Sequence, residues 1–239
     1  VDPSADAYLE RAHRTERSLT PGSLDTAIQS CVASLRKAST QLKPVTHIAT
    51  GQAEVKKVAS NRRIIGEDGT IAMWRGSACG DPKVRAQPEG MIDPWLKCVT
   101  FYNNDKPLVA MHYYATHPMS YYRRGGVSAD FCGIARRQLQ RETGVMQIYF
   151  TGCGGDIAAG KYNDGSPERR TVLADRMEAG MKAAWEATEK QPIVPADVAW
   201  KTRYVQLPIS PAIEEPALQA TLNDSEASAR DKYSAAAKL

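Results

Sequence analysis

The sequence predicts an α/β fold in which a mixed β-sheet is flanked by helices. Three observations carry that prediction. Apolar, aromatic-rich runs at 107–114 and 145–150 each stop abruptly at small or polar residues, as buried strands do when they deliver side chains to the rim of a sheet. Between them, 130–142 has helical periodicity, so the order strand, loop, helix, strand, loop forms a βαβ-like unit with ligands expected beyond the carboxyl ends of its strands. A further periodic stretch, from Ser166 to about Thr188, supplies another helix with an apolar stripe.

The elements follow in chain order. At 5–19 the chain is polar and charged, and Tyr8, Leu9 and Ala12 offer only a thin helical stripe before the break at Thr20, Pro21 and Gly22. The spacing of Leu24, Ile28, Cys31, Val32, Leu35 and Leu42 then keeps one face apolar and predicts a helix ended by Pro44, with Ser23 placed to cap its amino end. Residues 45–58 read as a strand region interrupted at Thr50 and Gly51. Asp68 followed by Gly69 marks a turn, with 70–74 as the returning strand. The stretch 75–90 carries Gly, Pro and scattered charge without periodicity and reads as a loop. Strands at 95–102 and 107–114 flank a polar turn at 103–106 and form a hairpin.

In the helix at 130–142, Phe131, Ile134, Ala135 and Leu139 oppose Arg136, Arg137, Gln140 and Arg141; Ser128 is placed to cap it and Gly144 to end it. Ser166, Pro167 and Glu168 combine a cap, a proline at the first helical position and an early acid, and Val172, Leu173, Met177, Met181, Ala184 and Trp185 form the buried stripe that follows. Residues 199–208 alternate as a strand, and 212–239 is rich in Ala, Glu, Ser and Lys. With no internal repeat and no clear linker, 1–239 is expected to be one domain with 209–239 as a peripheral helical tail.

Composition narrows the function. The 31 basic and 27 acidic residues are spread along the chain, and their net charge of +4 points to no polyanionic partner; no nucleic-acid motif is present. No apolar run approaches the roughly 18 residues that span a bilayer, and 1–6 lacks the pattern of a signal peptide. The chain does not begin with Met, so a mature product or a fragment of a longer protein is expected. Five cysteines, an odd number without CxxC spacing, exclude a disulfide framework and a zinc ribbon, leaving room for one disulfide. Cys31 and Cys132, on apolar helix faces, are expected to be buried thiols.

Chemistry concentrates between Ala110 and Asp164. His112 and His117 lie five apart on a strand leading into a loop, which is no HExxH arrangement. Of the two, His117 is the better ligand candidate because Pro118 stiffens it, although from spacing alone a histidine bonding locally at a strand end is the default reading. Ser128 and Asp130 suit a catalytic pair or a helix start. Gly152, Gly154, Gly155 and Gly160 give four glycines in nine residues, which lets backbone N–H groups approach an oxyanion or phosphate. The loop is neither a Walker loop nor a dinucleotide fingerprint nor a G-x-S-x-G elbow. Cys153 would serve as a nucleophile only with a base beside it, and Asp156 suits metal, general-base or substrate-hydroxyl work.

Taken together, Asn61 and Arg62; Gly90, Asp93 and Pro94; Ala115, Thr116, His117 and Ser120; Val127, Ser128 and Asp130; and Phe150, Gly152, Gly155 and Asp156, in that order, resemble the amino-terminal catalytic domain of neutral/alkaline, non-lysosomal ceramidases over roughly 24–165. The likeness is greatest to bacterial ceramidase-like proteins of unassigned substrate. It implies a secreted or periplasmic zinc amidohydrolase that cleaves the N-acyl bond of ceramide or a related lipid, in peripheral contact with a membrane surface. By that resemblance His117 is a zinc ligand, Asp156, Ser128 and Asp130 are catalytic or supporting residues, and Cys153, Gly154, Gly155 and Tyr162 line the substrate site. The chain departs from the family at Ala158, where a serine nucleophile is expected, and lacks the upstream Thr-His-x-His run. The remaining ligands, Glu and Tyr, would lie beyond residue 239, which again implies a fragment. Alternatives are a non-catalytic lipid- or glycan-binding descendant, and a cysteine hydrolase pairing Cys153 with His112 or His117.

Overall fold

The computed structural model describes residues 22–121, 127–206, 208 and 213–239. The thin stripe expected at Tyr8, Leu9 and Ala12 lies outside them. Contacts cluster the chain into two units, 43–199 and the pair of terminal segments 1–42 with 200–239.

Unit 43–199 is built on a five-stranded mixed sheet. Its strands are β1 (His47–Glu54), β5 (Trp95–Asn103), β6 (Lys106–Tyr114), β7 (Met146–Thr151) and β9 (Glu189–Pro192), in the order β7-β6-β5-β1-β9. The pairs β1 with β5, β5 with β6 and β1 with β9 are antiparallel; β6 and β7 are parallel. Two helices, α3 (Asp130–Thr143) and α4 (Glu168–Glu186), pack on one face of this sheet and against each other. The anticipated βαβ unit is thus β6, α3, β7, and its parallel strands bring Tyr114 and Thr151 to the same rim. A two-residue ladder, β2 (Ser60–Asn61) with β8 (Ile157–Ala158), and a hairpin, β3 (Arg63–Ile65) with β4 (Ile71–Trp74), lie outside the main sheet.

The core forms where strand alternation meets helical periodicity. Ala49, Leu96, Cys98, Ala110 and Tyr114 from the sheet meet Phe131, Ala135, Leu139, Leu173, Met177, Met181 and Ala184 from the helices, all at most 1% exposed. Gly51 does not interrupt β1, contrary to the sequence expectation. A methyl group there would stand 2.6 Å from the Ala184 carbonyl oxygen, so the glycine is the point where the end of α4 crosses the strand. Residues 75–90 contain a short helix, α2 (Pro82–Ala86), started by the Asp81 carboxylate accepting the Lys83 N–H. The strand expected at 199–208 is absent from 199–206; the strand that closes the sheet is β9, whose register with β1 starts right after α4. Ser128 sits two residues before α3, where its Oγ accepts the Asp130 N–H, and Ala129 occupies the cap position.

In the terminal segments, helix α1 (Ser23–Ser39) follows Gly22, whose φ of 77° makes it the cap, and Ser23 is already helical. Its stripe is not covered: Leu24, Ile28 and Leu35 are 39%, 48% and 70% exposed. Cys31, expected as a buried thiol, is exposed for the same reason, whereas Cys132 is buried in α3. The helical tail consists of α5 (Glu215–Asn223) and α6 (Ala229–Ala236), joined by a small cluster of Leu222, Ala235 and Ala236.

Candidate functional site

The loop after β6 and the glycine-rich loop after β7 are stitched together by backbone bonds. His117 N–H donates to the Ile157 carbonyl at 2.9 Å, and Gly152 N–H donates to the Tyr114 carbonyl at 2.9 Å. The ladder between β2 and β8 brings in a third segment: Arg62 N–H donates to the Asp156 carbonyl at 2.8 Å. Motifs separated by tens of residues therefore meet at one rim of the sheet.

The His117 ring is oriented by backbone. Its Nδ1 lies 2.6 Å from the Gly154 carbonyl oxygen and 3.2 Å from that of Ile157. Both partners are pure acceptors, so Nδ1 carries a proton, and in the neutral ring the lone pair is the one on Nε2. That arrangement is the one in which a backbone carbonyl fixes the ring of a metal-ligating histidine. The ring borders a hollow of about 430 Å³ shared with Arg62, Gly76, Ser77, Ala78 and Met119. Asn163, fully buried, braces the surrounding loops by donating its Nδ2 hydrogens to the carbonyls of Ser77 at 2.8 Å and Ser120 at 2.9 Å.

Arg62 enters this hollow with few fixed partners. Its Nη1 makes one long bond, 3.4 Å, to the Gly155 carbonyl, and its buried Nε has no hydrogen-bond partner. The adjacent Arg63 takes the Asp156 carboxylate, Nε to Oδ2 at 2.8 Å. Asp156 is therefore half of a partly exposed ion pair. Among the described residues no protein group accepts the N–H of Cys153, Gly155 or Asp156, and Cys153 and Gly155 are exposed, so the loop has backbone donors open to solvent or a ligand.

The other anticipated residues are placed differently. Asp130, 8% exposed and at φ 48°, accepts the backbone N–H of Ser120 at 2.9 Å, the Ser120 hydroxyl, and the N–H of Phe131 at 2.7 Å. Arg170 stands 3.7 Å away, its guanidinium over the Tyr121 ring. Ser128 and Asp130 thus tie the His117 loop to the start of α3. Tyr162 donates its hydroxyl to Glu89 at 2.5 Å, and burial, then that carboxylate, push its pKa up to about 12. Ala158 is fully buried in β8, where its carbonyl accepts the Ser60 hydroxyl.

Cys153 is exposed and lines a second, mostly apolar hollow of about 440 Å³ with Met91, Ile92, Trp95, Tyr113 and Ile157. His112 lies in the core, its Nε2 on the Gln147 side chain at 2.7 Å, and His117 spends Nδ1 on carbonyls. Neither ring is hydrogen-bonded to Cys153. Arg62 and Ser77 were not singled out from the sequence as site residues. The pair Asn61 and Arg62 held the only signal, as one motif in the ordered set; Ser77 and Asn163 carried none.

Among the described residues no group of three or more His, Cys, Asp or Glu side chains stands close enough to hold a metal ion. His117 offers one suitable nitrogen, and the described residues do not complete a zinc site around it. No protein-family model and no curated protein sequence matches the chain. Solved structures do. Neutral ceramidase from Pseudomonas aeruginosa is 17% identical with a TM-score of 0.47, over 65% of this chain and 25% of that one. A ceramidase complexed with C2 is 15% identical with a TM-score of 0.45, over 63% and 24%. The chain spans about a quarter of the length of these ceramidases.

Proposed function

We infer that the chain carries part of the active site of a hydrolase that cleaves an amide or related acyl bond in a small, lipid-like substrate, with His117 as one ligand of a zinc ion. The observation that carries this reading is the convergence on one hollow of His117, its Nδ1 held by backbone carbonyls, and Arg62, whose guanidinium lies 3.4 Å from the Gly155 carbonyl of the glycine-rich loop. A bound zinc would polarise the acyl carbonyl or a water molecule. The chain's own part is electrostatic. The Arg62 guanidinium and the N–H groups of Gly155 and Asp156 are donors of the kind that stabilise a developing oxyanion, and Gly154 and Ile157 hold the imidazole. Asp156 and Arg63 fix the margin of the loop.

The apolar hollow beside Cys153 supports a substrate with an apolar chain, since about 440 Å³ falls within the range of small-ligand sites. The ceramidase resemblance further suggests a secreted or periplasmic protein working at a lipid surface. Among the described residues no helix is long and apolar enough to cross a membrane. With alanine at 158, attack falls to water in this reading, and ceramide itself need not be the substrate. The test is zinc per chain by elemental analysis of the full-length polypeptide after dialysis, with and without His117→Ala. Stoichiometric zinc that disappears in the variant is expected. Zinc-free wild type would overturn the assignment and favour a lipid- or glycan-binding descendant.

A further inference from the structure

We propose that Trp74 is the positioning residue of the site, holding the Arg62 guanidinium in the orientation in which it meets an anionic group of the ligand. The Arg62 Cζ lies 4.5 Å from the centroid of the Trp74 ring, within the range of a cation–π contact. Among the described residues little else fixes that guanidinium: its hydrogen bond to the Gly155 carbonyl is 3.4 Å long, its Nε is buried without an acceptor, and the nearby Asp156 carboxylate belongs to Arg63. Trp74 is not a core residue. It is 51% exposed in β4, a strand whose every residue is exposed, opposite Arg63 in the hairpin register. A large aromatic side chain in that place has the arginine as its identified aromatic-face contact, and a stacked guanidinium keeps its N–H edge available for bidentate pairing with a carboxylate or an oxyanion.

This inference rests on the hydrolase reading for the identity of the anion, an acyl oxyanion or the carboxylate it becomes. The geometry stands on its own. A cation–π contact at a half-exposed site corresponds to a factor of about two to five in an equilibrium constant. Its loss should therefore weaken anion binding by that factor without unfolding the hairpin.

The experiment uses the whole protein, Trp74→Leu and Trp74→Phe, with Arg62→Lys to assign the Arg62 Nε–H resonance by its disappearance. Ring current from Trp74 should shift that resonance upfield in the wild type; Trp74→Leu should abolish the shift and Trp74→Phe should keep part of it. Titration calorimetry with dodecanoate then reads the functional arm. Affinity two- to fivefold weaker in Trp74→Leu, with recovery in Trp74→Phe, is the expected result. An Arg62 resonance indifferent to Trp74→Leu, or equal dodecanoate affinity in Trp74→Leu and wild type, overturns the positioning role. A ring-current shift in a wild type that binds no dodecanoate overturns the hydrolase reading instead, and the role of Trp74 falls with it.

Discussion

Replacing Gly154 by alanine, with Gly155→Ala as the paired control, separates what the glycine-rich loop does for the fold from what it offers a ligand. A methyl at Gly154 would stand 2.9 Å from the Thr116 carbonyl carbon and 3.2 Å from the backbone nitrogens of Thr116 and His117. These are backbone atoms and cannot rotate away, so the two loops must separate. Overpacking of this kind costs about 1–3 kcal/mol. Separation also loosens the 2.6 Å bond from His117 Nδ1 to the Gly154 carbonyl, worth about 1 kcal/mol more. The sum is about 2–4 kcal/mol, or a fall of roughly 4–16 °C in Tm for a unit of this size. At Gly155 an added methyl meets nothing within 4 Å, so Gly155→Ala should be neutral or stabilising by about 0.4–1 kcal/mol through the unfolded chain. Urea unfolding with a common m-value reads both variants. Equal stability of Gly154→Ala and Gly155→Ala would refute the claim that the loops are in register through Gly154.

Two further outcomes follow from burial. The pKa of His112 is lowered by burial, with the Gln147 bond opposing, and its Nδ1 has no partner. The unfolded chain, with histidine near 6.5, therefore binds the proton first. The neutral ring's contribution to stability is complete above about pH 6.5 and is lost as pH falls from there towards the lower folded value. His112→Leu should flatten the stability profile measured by urea unfolding as pH falls below about 6.5; an unchanged slope would show that the ring is solvated. Among the thiols, Cys31 and Cys153 are exposed, whereas Cys98 and Cys132 are buried and burial pushes the Cys132 thiol up to about 12. Iodoacetamide on native protein should label the first pair and spare the second until urea is added, and a Cys132 labelled as fast as Cys153 by mass spectrometry would contradict the packing of α3.

The βαβ unit, the hairpin of β5 and β6 and the stripe of α4 were legible because each writes its period into its own residues. What was not legible depends on partners far along the chain. Gly51 resembles a strand breaker until α4 is placed over it. The stripe of α1 looks like a buried face, but the sequence does not say whether anything covers it, and Cys31 was misread with it. At the site, His117 and the glycine-rich loop were visible as motif residues. Arg62 was only an unassigned member of a motif, because its importance comes from contacts with Gly155 and Trp74 that have no sequence signature. Ser128 and Asp130 were read as a catalytic pair or a helix start; their visible bonds go to Ser120, Phe131 and each other, which places them behind the loop.

The same reasoning divides the glycines of the loop. Read from sequence, four glycines in nine residues suggest a cradle in which each one lets a ligand approach. The packing assigns three of them to the protein itself. A methyl at Gly152 would stand 3.3 Å from the Tyr114 carbonyl carbon, one at Gly154 2.9 Å from that of Thr116, and one at Gly160 2.1 Å from the Gly76 carbonyl oxygen. Those glycines let β6, the His117 loop and the wall of the hollow come close enough to share hydrogen bonds, and that closeness is what sets the tautomer of His117. Gly155 is the one with open space above it, an N–H that no group among the described residues accepts and a carbonyl within reach of Arg62. If the loop meets a ligand through its backbone, Gly155 and Asp156 are where it does so, and larger residues at Gly155 should affect ligand affinity before they affect stability.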